Sequence, residues 1–258
     1  YQVLHYQQGL VGSTYTLAET ETFEAEEGET VTALPKQYEG FTENKTHGGR
    51  YDKGIVSGSG TVPLKLRLYY TRNKYLVSFD SNGGSQAPAS MLVSYEGKLG
   101  SVAGVTRPGF TFKGWADPEG TLYTSDTLIK KDVKLTAQWT ADPISLGKVK
   151  DISATYGDAV PEQTLKASGG TGEYEYSVSE DTPLPAGITL TAEGTLSGTA
   201  KAATDGAVEV TVIAADKNSG ATAETTFGVT VAKRGITVKP KDVTRKKGKP
   251  NPAGVLEE

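Results

Sequence analysis

The chain has 258 residues, charged residues make up 22% of it, and the formal net charge is −4, so the sequence favours neither a nucleic acid nor an anionic membrane as partner. The absence of cysteine excludes disulfides, thiol nucleophiles and cysteine-based zinc sites. With 31 glycines, no apolar run long enough to cross a bilayer and a length above that of one typical domain, the sequence predicts a soluble, turn-rich β protein of two or three domains.

The first predicted domain, residues 1–73, begins with YQVLHYQQG and ends in a predicted strand. Apolar and polar side chains alternate along this strand, and the apolar set is Leu64, Leu66, Leu68 and Tyr70. This alternation predicts one buried face. Tyr69 would lie on the opposite face, where an exposed aromatic ring could meet a ligand. Tyr69 is therefore the candidate ligand-binding residue, and a solvent-facing tyrosine with no ligand is the alternative.

Two histidines and a run of glutamates are the candidates for chemistry in this domain. His5 and His47 fit no nucleophile or metal-binding spacing, and His47 is predicted to lie in a loop. The stretch ETETFEAEEGE, residues 19–29, could bind Ca²⁺ weakly through its carboxylates, but the charge pattern is more typical of a solvated strand and turn. The sequence therefore predicts no enzyme, no cofactor and no metal site.

The second predicted domain, residues 74–140, repeats the layout of the first. It begins and ends with alternating segments, whose apolar residues are Tyr75, Val77 and Phe79, then Val133, Leu135, Ala137 and Trp139. Asn82-Gly83 is a strong signal for a tight turn. A phosphate-binding loop would need a helix directly after Gly84, and Pro88 interrupts that stretch. The sequence therefore predicts a turn between strands.

The stretch RPGFTFKGW contributes three aromatic rings, those of Phe110, Phe112 and Trp115. Exposed rings could stack on a sugar. A domain this small needs its large apolar side chains for its own core, however. We therefore expect these rings, together with Trp139, to be core residues.

The third predicted domain, residues 141–232, contains short strand-like segments separated by turn residues roughly every 8 to 15 positions, which indicates a sandwich. Asn218 should lie at a hairpin tip. It is the domain's one asparagine, which argues against a Lys–Asn isopeptide bond there. Residues 241–252 match 150–161 at four positions, so residues 233–258 are predicted to be the truncated start of a further β module.

Each domain resembles a known bacterial family. The second, through FDSNGG, RPGFTFKGW, GTLY and DVKLTAQWT, resembles the Listeria–Bacteroides (internalin B-type) repeat, which implies a small β-grasp-like fold found in tandem on secreted and surface proteins. The first, through VLHYQQ, GETVTALPKQYEGF and GTVPLKLRLYYT, resembles a mucin-binding-protein repeat. The third, through LPAGITLTAEGTLSGTA, is similar to the Ig-like domains of bacterial surface proteins.

The expected fold class is mainly β, with two small β-grasp-like domains followed by an Ig-like β-sandwich. The resemblances imply a non-catalytic extracellular region of a bacterial surface protein, cell-wall attached or secreted, that acts as an adhesive or spacer stalk. The alternatives are a glycan- or mucin-binding module and an accessory region of a secreted hydrolase. The expected partner is a surface protein or glycan of a host or neighbouring cell, without membrane insertion, and the chain is expected to be a monomer. Short linkers predict a semi-extended rod with small contacts between domains.

Overall fold

The computed structural model describes residues 1–58, 62–238 and Lys247. Every regular secondary-structure element among these residues is a β-strand. The chain divides into two compact units, Tyr1–Thr140 and a second that begins at Ala141. The predicted fold class, mainly β with tandem modules, is confirmed. Most of the truncated module predicted at 233–258 lies outside the described residues.

Six strands form the first part of the first unit. They are β1 (Gln2–Gln8), β2 (Tyr15–Thr22), β3 (Thr30–Thr32), β4 (Phe41–Glu43), β5 (Lys53–Ile55) and β6 (Lys65–Arg72). Four of them form a sheet in the order β2-β1-β6-β4, and β3 pairs with β5. The first and last strands, β1 and β6, run parallel at the centre of this sheet. Because parallel neighbours need a crossover, the chain between β2 and β6 passes across one face of the sheet.

The predicted alternation decides which face of this sheet is buried. Leu66, Leu68 and Tyr70 are at most 1% exposed and pack with Val3 in one apolar cluster. Tyr69 lies between Leu68 and Tyr70 in the strand, so its side chain leaves the opposite face of the sheet. We call the two sides the inner and the outer face.

Seven strands form the second part of the first unit. They are β7 (Lys74–Asp80), β8 (Met91–Ser94), β9 (Gly97–Lys98), β10 (Phe110–Ala116), β11 (Leu122–Tyr123), β12 (Leu128–Ile129) and β13 (Val133–Ala141). The sheet order is β11-β10-β13-β7-β8, β7 and β13 run parallel, and β9 pairs with β12. Strands β7, β8, β10 and β13 thus take the places of β1, β2, β4 and β6, and β9–β12 takes the place of β3–β5. The two parts share one topology.

The turn at Asn82-Gly83 joins β7 to the following loop, as predicted. Both residues have positive φ, 49° and 80°, and no helix follows. The indole N–H of Trp139 donates to the carbonyl oxygens of Ser81 and Asn82 at 3.3 and 3.1 Å. A Cβ atom on Gly84 would lie 2.5 Å from the Trp139 ring. Gly84 therefore allows the indole to pack against the backbone.

The aromatic rings of the second part form its core, with one exception. Trp115 is 3% exposed, and Phe112 makes edge-to-face contacts with Trp115 and Trp139, each at 5.5 Å between centroids. Phe110 is half-buried, as Phe112 and Trp139 are, but it does not pack against this core cluster, and the guanidinium of Arg107 covers its ring at 3.9 Å instead. The core prediction is therefore confirmed for Trp115, Phe112 and Trp139, whereas for Phe110 it is wrong.

The second unit is a sandwich. Its strands are β14 (Ile144–Leu146), β15 (Ile152–Thr155), β16 (Gln163–Thr164), β17 (Ala167–Gly169), β18 (Tyr174–Val178), β19 (Ile188–Leu190), β20 (Thr195–Gly198), β21 (Val208–Asp216) and β22 (Thr222–Ala232). One sheet has the order β15-β22-β21-β18 and another the order β16-β20-β19. Residues of both sheets, among them Leu196 and Val212, meet in one buried cluster.

Asn218 lies in the turn between β21 and β22, as predicted, and Asp216 organises that turn. Asp216 is 1% exposed and accepts hydrogen bonds from the hydroxyl of Thr171 at 2.7 Å and from the N–H groups of Asn218 and Ser219 at 3.0 and 2.9 Å. Burial by itself would raise the pKa of Asp216. These bonds, with that from the Thr171 N–H, outweigh burial and hold the pKa well below its usual range.

Candidate functional site

Tyr69 lies on the outer face of the first sheet, where its ring is stacked between two others. The His47 ring is 3.7 Å from it between centroids at 17°, and the Tyr6 ring is 5.0 Å away at 13°. Tyr6 is the register partner of Tyr69 on β1, and His47 belongs to the loop after β4. Because β6 lies between β1 and β4, the two rings approach Tyr69 from opposite sides.

Tyr15 completes the group of Tyr6, Tyr15, His47 and Tyr69, which we call the outer aromatic cluster. Its ring meets His47 and Tyr69 edge-on at 4.6 and 5.3 Å. Its hydroxyl shares a hydrogen bond of 2.9 Å with Thr71, and the Asn44 amide donates to both hydroxyls at 3.2 and 3.1 Å. Ring contacts and hydrogen bonds therefore fix the cluster in one arrangement.

This arrangement changes what Tyr69 can offer a ligand. Tyr69 is half-buried, and its two ring faces are covered by Tyr6 and His47. A sugar or another planar group that stacks would have to displace His47 or use a different ring of the cluster. A role of Tyr69 in ligand binding stays a prediction, and the site to consider is the whole cluster.

A groove of about 430 Å³ adjoins the outer aromatic cluster within the first unit. Thr71, which bonds to Tyr15, forms part of its wall, together with Leu10 at the β1–β2 turn and the cations Arg72 and Lys74. A groove with aromatic, hydroxyl and cationic groups nearby suits a polar ligand that carries some negative charge.

A second group of polar residues, which we call the inner polar network, lies on the buried face of the same sheet. His5 is fully buried, with Nδ1 2.9 Å from the Tyr70 hydroxyl and Nε2 2.8 Å from a Glu21 carboxylate oxygen. Because a carboxylate only accepts hydrogen bonds, Nε2 is the donor of that pair. The Tyr70 hydroxyl also accepts the backbone N–H of Lys36 at 2.9 Å.

Lys36 extends the network toward solvent. Its ammonium group lies 2.5 Å from Glu19 and 2.9 Å from Glu21, and Tyr38 donates to Glu19 at 2.7 Å. Contact with Glu19 and Glu21 raises the pKa of Lys36, and the hydrogen bonds from Lys36 lower the pKa of both carboxyl groups. Burial, followed by the hydrogen bond to Glu19, raises the pKa of Tyr38. These side chains hold one another in fixed ionisation states around neutral pH.

The network contains a carboxylate, an imidazole and a phenol in a row, but it is closed. Tyr70 is 1% exposed, so no substrate can reach its hydroxyl. Within the described part of the chain, no buried side-chain nitrogen or oxygen lacks a hydrogen-bond partner. The geometry therefore supports a role in holding β1, β2 and β6 together. Among the same residues no group of three or more His, Asp or Glu side chains is placed to hold a metal, and Glu19 and Glu21 face Lys36 instead.

Comparison with known proteins identifies two of the predicted modules. Residues 75–138 match the family model "Listeria-Bacteroides repeat domain", and residues 143–232 match "Putative Ig domain". The resemblance of residues 1–73 to mucin-binding repeats stays a prediction. Both matched domain types are typical of extracellular bacterial surface proteins and are typically non-catalytic. In the described residues no helix could span a membrane.

Two further similarities are weaker. The chain is 28% identical over 131 residues to a "Putative Gly-rich membrane protein" of Evansella cellulosilytica, and the match covers 47% of this chain but only 15% of that protein. The solved structure of Drosophila N-cadherin EC1-4 is 7% identical with a TM-score of 0.28, over 81% of this chain and 69% of the cadherin chain. A TM-score this low supports no statement about shared architecture. From the two family matches, the chain contains a Listeria-Bacteroides repeat domain followed by a "Putative Ig domain", which are module types of bacterial surface proteins.

Proposed function

We propose that this chain is a non-catalytic extracellular region of a bacterial surface protein, cell-wall attached or secreted, and acts as an adhesive or spacer stalk. The observation that carries the proposal is the distribution of buried apolar side chains. Within the described residues they form three separate clusters, one for each predicted module. Small cores in tandem serve to extend a chain from a surface. The two identified domain types support the same role.

The location can be tested on intact cells of the source organism. We expect an antiserum raised against the purified chain to label intact cells or the culture medium. We also expect added protease to remove the label from intact cells. Labelling that requires lysis would contradict the proposal. A cytoplasmic control protein measured in the same samples shows whether the cells have stayed intact.

The second candidate function is binding of a glycan, or of a surface protein that carries one, by the first domain. The outer aromatic cluster and the adjoining groove with Arg72 and Lys74 favour it, because sugars are bound by aromatic rings together with polar and charged groups. The partner would be on a host or neighbouring cell, and the chain would bind it as a monomer.

Binding to a mucin-coated surface and to a glycan array tests this second function. We expect Tyr69→Ala to weaken binding at least about tenfold, because loss of one ring removes the support of both Tyr6 and His47, and ~1.4 kcal/mol corresponds to tenfold. Tyr69→Phe keeps the ring stack and should bind more tightly than Tyr69→Ala. Tyr51→Ala is the matched control, since Tyr51 is 41% exposed in the same domain and belongs to no ring pair of the cluster. Equal binding by all variants would contradict a site at the cluster.

A further inference from the structure

The contact between the two parts of the first unit is built around Tyr95, which follows β8. Tyr95 is 5% exposed. Its ring meets Phe41 edge-to-face with 6.0 Å between centroids. It also lies directly on Gly40, so closely that a Cβ atom at Gly40 would collide with the ring. The second part of the unit therefore inserts an aromatic ring into a seat that the first part provides.

Polar contacts frame this seat. The Tyr95 N–H donates to the carbonyl of Asn73, and the Asn73 N–H donates to the carbonyl of Gly40, both at 2.8 Å. Arg72 donates to the Tyr95 carbonyl at 2.8 Å, and its guanidinium carbon lies 4.7 Å from the Phe41 ring centroid. Only Asn73 separates β6 from β7, so the two parts are joined without a flexible linker. The contact between them is therefore closer than the sequence analysis expected from a short linker.

The first part has an aromatic residue, Phe23, at the position equivalent to Tyr95. Phe23 follows β2 as Tyr95 follows β8, and the Phe23 N–H donates to the carbonyl of Tyr1 at 2.9 Å, as that of Tyr95 donates to Asn73. An acid comes next in both cases, Glu24 here and Glu96 there. The equivalence follows from the shared topology of the two sheets.

The two positions differ in what covers them. Phe23 is 42% exposed and stacks only partly on Tyr1, with 5.2 Å between centroids, whereas Tyr95 is 5% exposed in its seat. The acid next to Tyr95 also meets the preceding part, because a Glu96 carboxylate oxygen lies 3.6 Å from the Arg72 guanidinium. Phe23 and Glu24 thus correspond to Tyr95 and Glu96, which form one side of the contact within the first unit. The other side of that contact consists of Gly40, Phe41 and Arg72.

We propose that Tyr1, Phe23 and Glu24 form the docking face for a preceding module of the same kind as residues 1–72. The seat is supplied by that module's counterparts of Gly40, Phe41 and Arg72, which cover Phe23 and pair with Glu24. The partner is thus defined by its chemistry: a glycine and an aromatic ring beside an arginine that ends the last strand. This inference concerns how modules join, and it holds whether the region binds a ligand or only extends a chain.

A tandem protein tests the inference. A second copy of residues 1–72, isotope-labelled so that its peptides differ in mass from the identical ones of the original copy, is joined directly before Tyr1, which reproduces the spacing between Arg72 and Asn73. Hydroxyl-radical footprinting, read by mass spectrometry, reports the accessibility of the Phe23 ring. If reactivity follows exposed area, we expect Phe23 oxidation to fall about eightfold relative to the original chain. This is the ratio of the 42% exposure of Phe23 to the 5% exposure of Tyr95 in its seat.

Variants of the added copy separate docking from mere fusion. Gly40→Val in the added copy blocks the seat and should restore Phe23 oxidation. Gly12→Val in the same copy is the matched control, because Gly12 has the same φ of 73° and no atom lies within 4 Å of the position that its Cβ atom would take. Amide exchange of β1 and β6 in the added copy shows whether it is folded.

Four results would overturn the proposal. One is Phe23 oxidation that the added copy leaves unchanged, and another is protection that Gly40→Val does not remove. The third is an added copy whose β1 and β6 amides exchange freely, because the docked state requires a folded seat. Protection of Phe23 in the original chain that depends on protein concentration would assign the face to a second copy of the chain instead, and the tandem proposal would be wrong.

Discussion

Gly40→Ala is the substitution that most sharply probes the contact between the two parts of the first unit. Gly40 has a φ of 73°, and a Cβ atom there would collide with the Tyr95 ring. Gly12→Ala is its control, since Gly12 has the same φ but open space around the Cβ position. The difference between the two variants isolates the effect of the collision from that of backbone strain.

The expected magnitudes follow from these two effects. Left-handed backbone costs an alanine about 1–2 kcal/mol, and the reduced freedom of the unfolded chain returns about 0.4–1 kcal/mol. Gly12→Ala should therefore lower the free energy of unfolding by roughly 1 kcal/mol. Full exposure of an aromatic ring of roughly 200 Å² costs about 5 kcal/mol. Displacing the ring by half costs about 2.5 kcal/mol, so Gly40→Ala should lower the free energy of unfolding by about 3.5 kcal/mol in total.

Urea unfolding followed by tryptophan fluorescence measures the effect. Trp115 and Trp139 both belong to the second part, so a shift caused by Gly40→Ala reports coupling between the parts. With a slope of about 2 kcal/mol per molar urea, we expect the midpoint to fall by about 1.75 M for Gly40→Ala and about 0.5 M for Gly12→Ala. Equal shifts for the two variants, or an unchanged tryptophan transition with Gly40→Ala, would refute the interface.

Two further predictions concern other parts of the first unit. Lys36→Met should destabilise the chain most around neutral pH and little at the extremes, as melting temperatures from pH 3 to 11 would show. The contribution of Glu19 and Glu21, whose pKa values are lowered, is present above the ordinary glutamate pKa of about 4.3 and is lost as the pH falls. The contribution of Lys36, whose pKa is raised, is lost as the pH rises past its folded value. Gly84→Ala should cost about 1–3 kcal/mol through overpacking against Trp139, and should red-shift the tryptophan emission and make it easier to quench with acrylamide.

Each of these two predictions has a clear contrary result. A constant difference in melting temperature between Lys36→Met and the original chain across pH would show that the lysine contributes through packing alone. For Gly84→Ala the matched control is Gly48→Ala, because nothing lies within 4 Å of the Cβ position at Gly48. If the two glycine variants give the same emission, the indole does not pack against Gly84.

The sequence predicted the features that are set by residues close together in the chain, namely strand alternation and a tight turn. Alternation along residues 64–70 identified β6 and the face of Tyr69, and Asn82-Gly83 identified a turn, because backbone sterics alone decide these features. The parallel pairing of β1 with β6 was not predicted. It joins residues more than sixty positions apart, and no local pattern encodes that register.

The candidate site was predicted only in part, for the same reason. The period-two pattern placed Tyr69 on the outer face, but His47 reaches it from a loop, and loop positions carry no periodic signal. For His5 the sequence indicated only that it fits no nucleophile or metal-binding spacing. It lies two residues after Val3 and therefore on the same face of β1, and this spacing was the one available sign that it is buried, although Leu4 between them is buried as well. Its partners Glu21 and Tyr70 are set by the tertiary fold.

Native-state hydrogen exchange in rising urea tests the central claim most directly, namely that the chain is a series of small β cores of which the first two are joined into one unit. We predict that amides of β1, β6, β7 and β13 lose protection at one common urea concentration, and that amides of β21 and β22 do so at another. Gly40→Ala should lower the first concentration and leave the second unchanged. A single midpoint for all six strands, or separate midpoints for β6 and β7, would contradict the account.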